Sequence, residues 1–195
     1  PVERLVIGTN VNDILRRTLE TGTYEVRSVA ATTSPSMDIQ VSSNFERLLF
    51  EEGGRDAGAV TAMMDGLRQS GTFTLPEGTR GAIARLFDAA TTNEEQVAET
   101  MRATLAGSGY LLDPHTAVAM HAAHQGPPDP AVPMVVLSTA HPAKFPEAVA
   151  AITGVHPVLP QRLSRLMTDT ERMTPLPADV RAVAAHIAAA IGMSG

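Results

Sequence analysis

The sequence predicts an α/β fold in which helices pack on a mostly parallel sheet. Two apolar runs, at residues 4–9 (RLVIGT) and 134–137 (MVVL), have the composition of strands that are covered on both faces. Helical patterns lie between the two runs, and parallel strands require such long crossover connections. Hydrophobic residues make up 44% of the 195 residues and charged residues 18%, so we expect a sizeable core.

The first elements form a strand–helix unit. Leu15 and Leu19 lie one helical turn apart after the first strand, and Gly22 follows them as a stop signal. We expect the next strand at 24–29, paired in parallel with the first strand through this helix. A turn-rich stretch at 31–43 comes next.

A second helix is predicted at 44–52, with Phe45 and Leu49 on its inner face and Ser42 or Ser43 as its cap. The remaining predicted elements are helices at 57–69, 77–90, 93–106, from 114 onwards, 145–152 and 179–191, a short extended piece at 72–75, and a surface loop at 125–133. The order is that of a helix-rich α/β protein.

The composition argues against several classes of protein. The formal net charge is −6 without any basic run, which is unfavourable for binding nucleic acid or an anionic membrane. The absence of cysteine excludes disulfides and thiolate metal sites. No apolar run approaches the ~20 residues that span a bilayer, and no secretory leader is visible, so we expect a cytoplasmic protein.

The start of the sequence suggests a longer protein. A strand of the buried type at 4–9 needs neighbouring strands, yet almost nothing precedes it. We therefore expect the sequence to be a piece of a longer chain, with ordinary processing of a short N-terminus as the alternative. Without neighbours, this strand would expose its edges and faces and favour self-association.

Histidines offer one candidate metal site. His121 and His124 are three residues apart on a predicted helix, but no third ligand is suitably spaced, so we expect no metal. The segment Asp113-Pro114-His115-Thr116 gathers polar groups at a helix start, where anions can bind. A plain helix cap is the favoured interpretation of that segment.

A second candidate anion site precedes the helix at 44–52. Hydroxyls of Ser42 and Ser43, the amide of Asn44 and the guanidinium of Arg47 are the groups that bind phosphate or carboxylate in many proteins. A capping box with a surface salt bridge explains the same residues equally well. The sequence alone leaves these two interpretations open.

The only lysine, Lys144, lies just after the second apolar run. Ser138, Thr139 and His141 stand where that run ends, and ligands of open α/β sheets bind beside the carboxyl ends of strands. Lys144 would need an apolar pocket to act as an imine-forming amine. The turn around it offers none, so a solvated or ion-paired lysine is the favoured interpretation.

Four segments together resemble threonine synthase of the longer bacterial and fungal type. They are LVIGTNVNDIL, PSMDIQVSSNFERLLFE, DPHTAVA and STAHPAKFPEAV, in the order of the family. The resemblance implies the C-terminal portion of a fold-type II enzyme, like the tryptophan synthase β-subunit. It also implies pyridoxal phosphate as cofactor and conversion of O-phospho-L-homoserine and water to L-threonine and phosphate.

Two family motifs are missing from the sequence: the segment with the Schiff-base lysine, similar to S-F-K-D, and the glycine-rich loop that holds the cofactor phosphate. The resemblance therefore implies that residues 1–195 are the C-terminal part of the catalytic domain and contain no catalytic residue. We expect the isolated chain to be inactive and without cofactor, with the missing N-terminal part as its partner.

The resemblance also implies roles for individual residues. Thr139, with Ser138 beside it, matches the cofactor-binding position, where a neutral hydroxyl faces the pyridine nitrogen. The substrate-binding positions are matched by Ser42, Ser43, Asn44 and Arg47, and the surrounding wall by His115, Thr116 and His141. The alternative function is a stand-alone module that binds a phosphorylated metabolite at Ser42, Ser43, Asn44 and Arg47 without catalysis.

Overall fold

The computed structural model describes residues 2–126 and 131–192. The chain forms two compact units, Pro1–Val158 and Leu159–Gly195. The first unit contains four strands and seven helices within its described residues. The helices are α1 (Ile14–Thr21), α2 (Phe45–Glu52), α3 (Ala57–Ser70), α4 (Glu77–Leu86), α5 (Glu94–Ser108), α6 (Pro114–His124) and α7 (Pro146–Thr153).

The strands form two small sheets. β1 (Leu5–Thr9) pairs in parallel with β4 (Phe87–Thr91), and β2 (Thr23–Glu25) pairs antiparallel with β3 (Thr72–Thr74). The prediction of a helix-rich α/β fold is confirmed. The predicted parallel pairing between the first two strands is wrong, since the partner of β1 lies about eighty residues away along the chain.

A sharp turn explains why β2 does not lie beside β1. Gly22 ends α1 with a φ of 82°, in the left-handed region that glycine adopts without strain. Its carbonyl accepts a hydrogen bond from the backbone of Leu75 at 2.8 Å. The ring of Tyr24 then stacks on Phe73 with 4.8 Å between centroids, which joins β2 to β3 instead.

The helix predicted at 77–90 is too long. α4 ends at Leu86, and Phe87 adopts extended dihedrals that begin β4. Asp88 forms an ion pair with Arg4 beside β1, at 2.5 Å. The alanines of this strand favour a helix locally, but pairing with β1 overrides that preference.

The strand predicted at 134–137 is absent, because no described strand lies beside this segment to supply hydrogen bonds. The side chains of Val135 and Leu137 are 77% and 72% exposed, whereas a buried strand was expected. Of the loop predicted at 125–133, residues 127–130 lie outside the described part of the chain.

Two hydrophobic clusters stabilise the first unit. The β2–β3 core surrounds the β2–β3 pair and consists of Ile14, Tyr24, Phe45, Leu49, Met63, Phe73, Leu75 and Ile83. The α5–α6 core consists of Val97, Met101, Leu112, Ala117, Val118 and Val149, with Phe145 packed against it. Asn93 begins α5 with the capping box that its residue type predicts.

The described part of the second unit contains one α-helix, α8 (Val180–Ala190), which confirms the helix predicted there. Asp179 caps this helix by accepting a hydrogen bond from the backbone of Ala182 at 2.9 Å. Apolar side chains on the helix are exposed within the unit, Val180 and Ile187 among them. None of the helices described for this chain is long and apolar enough to cross a membrane.

Candidate functional site

A buried polar cluster follows the carboxyl end of β1. Asn10 and Asn12 are 0% and 4% exposed, and both amides donate to the Oδ1 atom of Asp38, at 2.8 and 3.0 Å. The Oδ2 atom of Asp38 accepts from the backbone of Thr32 at 2.8 Å. Because buried amides and carboxylates require such partners, the cluster fixes the loop 30–38 at the strand end.

His115 attaches the same loop to α6. Its Nε2 atom accepts a hydrogen bond from the backbone N–H of Ser36 at 3.1 Å. Its Nδ1 atom lies 3.0 Å from the Oδ1 atom of Asp113. Since a backbone N–H can only donate, these partners assign the proton to Nδ1, and His115 is the neutral tautomer that donates to Asp113.

Asp113 holds both His115 and the start of α6. Its carboxylate is 1% exposed and accepts from the backbone of His115 at 2.9 Å, from the backbone of Thr116 at 3.4 Å, and from the Thr116 hydroxyl. The predicted helix cap is therefore confirmed. The same carboxylate also orients the imidazole, and no pattern in the sequence indicates this, because it depends on where the ring lies.

Phe145 links His115 to the segment with the predicted cofactor-binding residues. The His115 and Phe145 rings lie 4.5 Å apart between centroids. Between His141 and Phe145 the chain forms a short 3₁₀ turn, in which the Nδ1 atom of His141 accepts from the backbone of Ala143 at 3.2 Å. His115 therefore contacts both the loop 30–38 and the end of the 138–145 segment.

Ser138 and Thr139 are exposed, and neither side chain has a hydrogen-bond partner among the residues that the structure describes. Their hydroxyls are free to bind another molecule. Lys144 is also exposed, and its Nζ atom lies 5.7 Å from the centre of the Phe145 ring. This exposure supports the interpretation of Lys144 as a solvated lysine.

The predicted substrate-binding residues lie at the start of α2, beside the β2–β3 core. The backbone of Ser42 donates to the hydroxyl of Tyr24 at 2.8 Å. Asn44 is the N-cap, so the prediction of Ser42 or Ser43 as cap is wrong, and no side chain makes the cap hydrogen bond. Arg47 is exposed, with no ion pair in the described part of the chain, so the proposed capping box with a salt bridge is absent.

The predicted cofactor-site residues and the predicted substrate-binding residues lie beside different hydrophobic cores. The segment 34–47 contacts His115, beside the α5–α6 core, through Ser36. It contacts Tyr24, in the β2–β3 core, through Ser42. Within the described residues, no hydrogen bond, ion pair or ring contact joins the side chains of Ser42 or Arg47 to Thr139. The structure thus brings His115, Ser36 and Phe145 together but leaves the α2 group separate.

The histidine pair on α6 gathers no further ligands. The Nδ1 atom of His121 lies 3.5 Å from the hydroxyl of Thr100, and His124 is exposed at the helix end. Within residues 2–126 and 131–192, no three acidic or histidine side chains come close enough together to hold a metal ion.

Comparisons with known proteins agree on one family. The family model described as "Threonine synthase, C-terminal" matches residues 116–187. The threonine synthase of Pseudomonas aeruginosa is 43% identical over 188 residues, which are 96% of this chain and 40% of that protein. The threonine synthase of Saccharomyces cerevisiae is 38% identical, over 86% of this chain and 37% of that protein.

Two solved structures resemble the chain closely. The crystal structure of threonine synthase from Brucella melitensis with bound PLP has a TM-score of 0.83 and 52% identity, covering 96% of this chain and 40% of that one. The yeast enzyme has a TM-score of 0.79 and 33% identity, covering 100% of this chain and 43% of that one. The chain thus spans about 40% of the length of the curated relatives it matches. Sequence and structure together show that the chain matches the C-terminal part of threonine synthases over nearly its whole length.

Proposed function

We propose that the chain supplies the C-terminal part of the catalytic domain of a threonine synthase, which converts O-phospho-L-homoserine and water to L-threonine and phosphate. The observation that carries this proposal is the 52% identity to a PLP-bound threonine synthase over 96% of the chain. The longer relatives support a further part of the protein that acts together with this chain.

The residues at 138–141 fit pyridoxal phosphate. The exposed Thr139 has a hydroxyl without a described partner, and a neutral hydroxyl beside the pyridine nitrogen leaves that nitrogen unprotonated. When bound, the cofactor supplies an electron sink for the carbanion chemistry of the reaction. Ser138 offers a second hydroxyl beside Thr139. His141 holds the turn that follows them, through its hydrogen bond with Ala143.

His115 and Asp113 hold neighbouring segments of the same site in position. The imidazole contacts Phe145 on one side and the backbone of Ser36 on the other. Asp113 keeps the imidazole in the tautomer that the hydrogen bond from Ser36 needs. Thr116 completes the helix start through its hydrogen bonds with Asp113.

The substrate binds, in this proposal, at the start of α2. Ser42, Ser43 and Asn44 offer hydroxyl and amide donors, and the exposed Arg47 offers a guanidinium that matches a phosphate or carboxylate bidentately. The imine lysine lies outside these 195 residues, because the sole lysine, Lys144, is exposed on a turn.

The test uses the full-length protein loaded with pyridoxal phosphate. We expect phosphate release from O-phospho-L-homoserine, and no release from O-phospho-L-serine as a control. In parallel, borohydride reduction followed by peptide mass spectrometry should place the cofactor on a lysine other than Lys144. Absence of phosphate release by the loaded protein would contradict the reaction. A label on Lys144 would contradict the assignment of the lysine.

A further inference from the structure

A cavity with a polar rim lies beside the β2–β3 core. Its volume is about 270 Å³. Sites for drug-sized ligands occupy about 300–1,000 Å³, so this cavity suits a smaller molecule. Its lining residues come from β2, β3, α3 and the start of α2 and are Tyr24, Val41, Ser42, Ser43, Phe45, Glu46, Met64, Leu67, Arg68 and Phe73.

One side of the cavity is apolar. The Tyr24 ring stacks between Phe45 and Phe73, with centroid distances of 5.6 and 4.8 Å. Met64 and Leu67 of α3 pack against the same core. An aliphatic side chain placed here would lose its contact with water, which is favourable in proportion to the apolar area it buries.

Tyr24 also has an unused hydrogen-bond donor. Its side chain is 2% exposed, and its oxygen accepts from the backbone of Ser42, but no described group accepts its hydroxyl proton. Burial raises the pKa of this phenol, so the group remains a neutral donor. A buried donor without an acceptor costs free energy, and an oxygen of a bound molecule would remove that cost.

The charge at the rim comes from Glu46. The guanidinium of Arg68 is already paired with Asp65. Glu46 has neither an ion pair nor a hydrogen bond to its carboxylate in the residues that the structure describes. The hydroxyls of Ser42 and Ser43 also have no described partner. The rim therefore combines one free carboxylate with hydroxyl donors, above an apolar floor.

We propose that this cavity binds a small apolar α-amino acid. Its carboxylate accepts from the hydroxyls of Tyr24, Ser42 and Ser43, its ammonium pairs with Glu46, and its aliphatic side chain packs on Met64 and Leu67. The cavity shares the hydroxyls of Ser42 and Ser43 with the proposed substrate site, so a bound amino acid and the phosphorylated substrate compete for them. Binding here does not depend on the proposed reaction.

The test is a titration of the full-length protein with L-leucine, followed through the methyl NMR signal of Met64. This signal is assigned with the variant Met64→Leu. We expect L-leucine to shift the signal in a saturable way. 4-Methylpentanoate, which lacks only the ammonium, should bind at least about tenfold more weakly, since a charge-assisted contact of ~1.5–3 kcal/mol is lost.

The variant Glu46→Gln should raise the Kd for L-leucine to a similar extent, while it leaves the affinity for 4-methylpentanoate unchanged. Glu52→Gln, at the far end of α2 and away from the cavity, is the matched control and should bind L-leucine normally. Glu46 is exposed and Glu52 is partly buried, and neither belongs to the hydrophobic core around β2 and β3.

Three outcomes would overturn the proposal: no shift of the Met64 signal up to the solubility limit of L-leucine, equal affinity for L-leucine and 4-methylpentanoate, or an unchanged Kd in Glu46→Gln. All three are binding measurements. An inactive enzyme would therefore contradict the proposed function without affecting this result.

Discussion

The Nε2 atom of His115 accepts a hydrogen bond from the backbone N–H of Ser36 across 79 residues of sequence. The imidazole is 4% exposed, so both of its ring nitrogens depend on protein partners. With Asp113 on Nδ1 and Phe145 on its face, His115 joins three of the segments that carry the family resemblance. This arrangement gives the ring a structural and a positioning role.

The variant His115→Phe should keep the contact with Phe145 but leave the Ser36 N–H without an acceptor and remove the imidazole donor from the Asp113 carboxylate. We expect the free energy of unfolding to fall by about 1–3 kcal/mol for the unsatisfied N–H and the lost donor. Urea unfolding measures the loss. His121→Phe is the matched control, because that imidazole makes only a 3.5 Å contact with Thr100. Equal losses in both variants would contradict the role given to His115.

Asp38 is the shared hydrogen-bond acceptor in the polar cluster at the end of β1. Its carboxylate accepts from Asn10, Asn12 and Thr32, so in Asp38→Asn an amide N–H would face other donors. We expect a loss of about 1–3 kcal/mol in the free energy of unfolding. Asp88→Asn, which changes a surface ion pair with Arg4, should cost clearly less. A larger loss in the free energy of unfolding for Asp88→Asn would show that the Asp38 cluster does not stabilise the fold as described.

Local signals explain which elements were predictable from the sequence. Gly22, Asn93 and Asp113 act within one helical turn of their own position, and each ends or begins a helix as its residue type predicts. The cluster around Asp38 is not predictable from the sequence, because the sequence pattern of asparagine and aspartate near a turn does not distinguish solvated side chains from buried ones.

Pairing over long distances explains the failures. β4 has the sequence FDAAT, which has weak strand propensity, and only its register with β1 makes it a strand. The apolar run at 134–137 has strong strand propensity but no described neighbour, and its side chains are exposed. The partner of β4 is distant in sequence, and the run at 134–137 has no described strand beside it. A local pattern carries no information about either circumstance.

We expect Tyr24 to lower the stability of the folded chain at alkaline pH. Burial raises the pKa of its phenol above the ordinary value of 10.0, and the hydrogen bond from Ser42 opposes this only in part. Above pH ~10 the unfolded chain loses this proton while the folded chain retains it, so the folded state binds more protons and its stability falls as pH rises. Below that pH both states are neutral and the effect vanishes.

Urea unfolding between pH 7 and 11 measures this dependence in the native protein and in Tyr24→Phe. We expect the native protein to lose more stability above pH ~10 than the variant does. The comparison cancels the contributions of all other titrating groups. Parallel pH curves for the two proteins would show that Tyr24 ionises equally easily in the folded state.

Arg47 tests the proposed substrate site. In the full-length enzyme, Arg47→Ala should raise the KM for O-phospho-L-homoserine about tenfold, since one charge-assisted contact with an anionic group is lost. Retention of pyridoxal phosphate should stay normal. Arg85→Ala is the matched control, because Arg85 is also an exposed helical arginine without a described ion pair. Weakened cofactor retention with an unchanged KM would contradict the assignment.

Thr139 tests the proposed cofactor site. Its exposed hydroxyl is neutral, whereas the carboxylate of Thr139→Asp would favour a protonated pyridine nitrogen beside it. We expect the absorbance of the bound cofactor to shift and the ratio of L-threonine to side products to change. Thr139→Ser keeps the hydroxyl and should preserve both. Absorption spectra and product analysis on the loaded full-length protein measure the two effects. Identical spectra and product ratios in Thr139→Asp would show that position 139 does not face the nitrogen, since a negative charge at hydrogen-bonding distance must change its protonation.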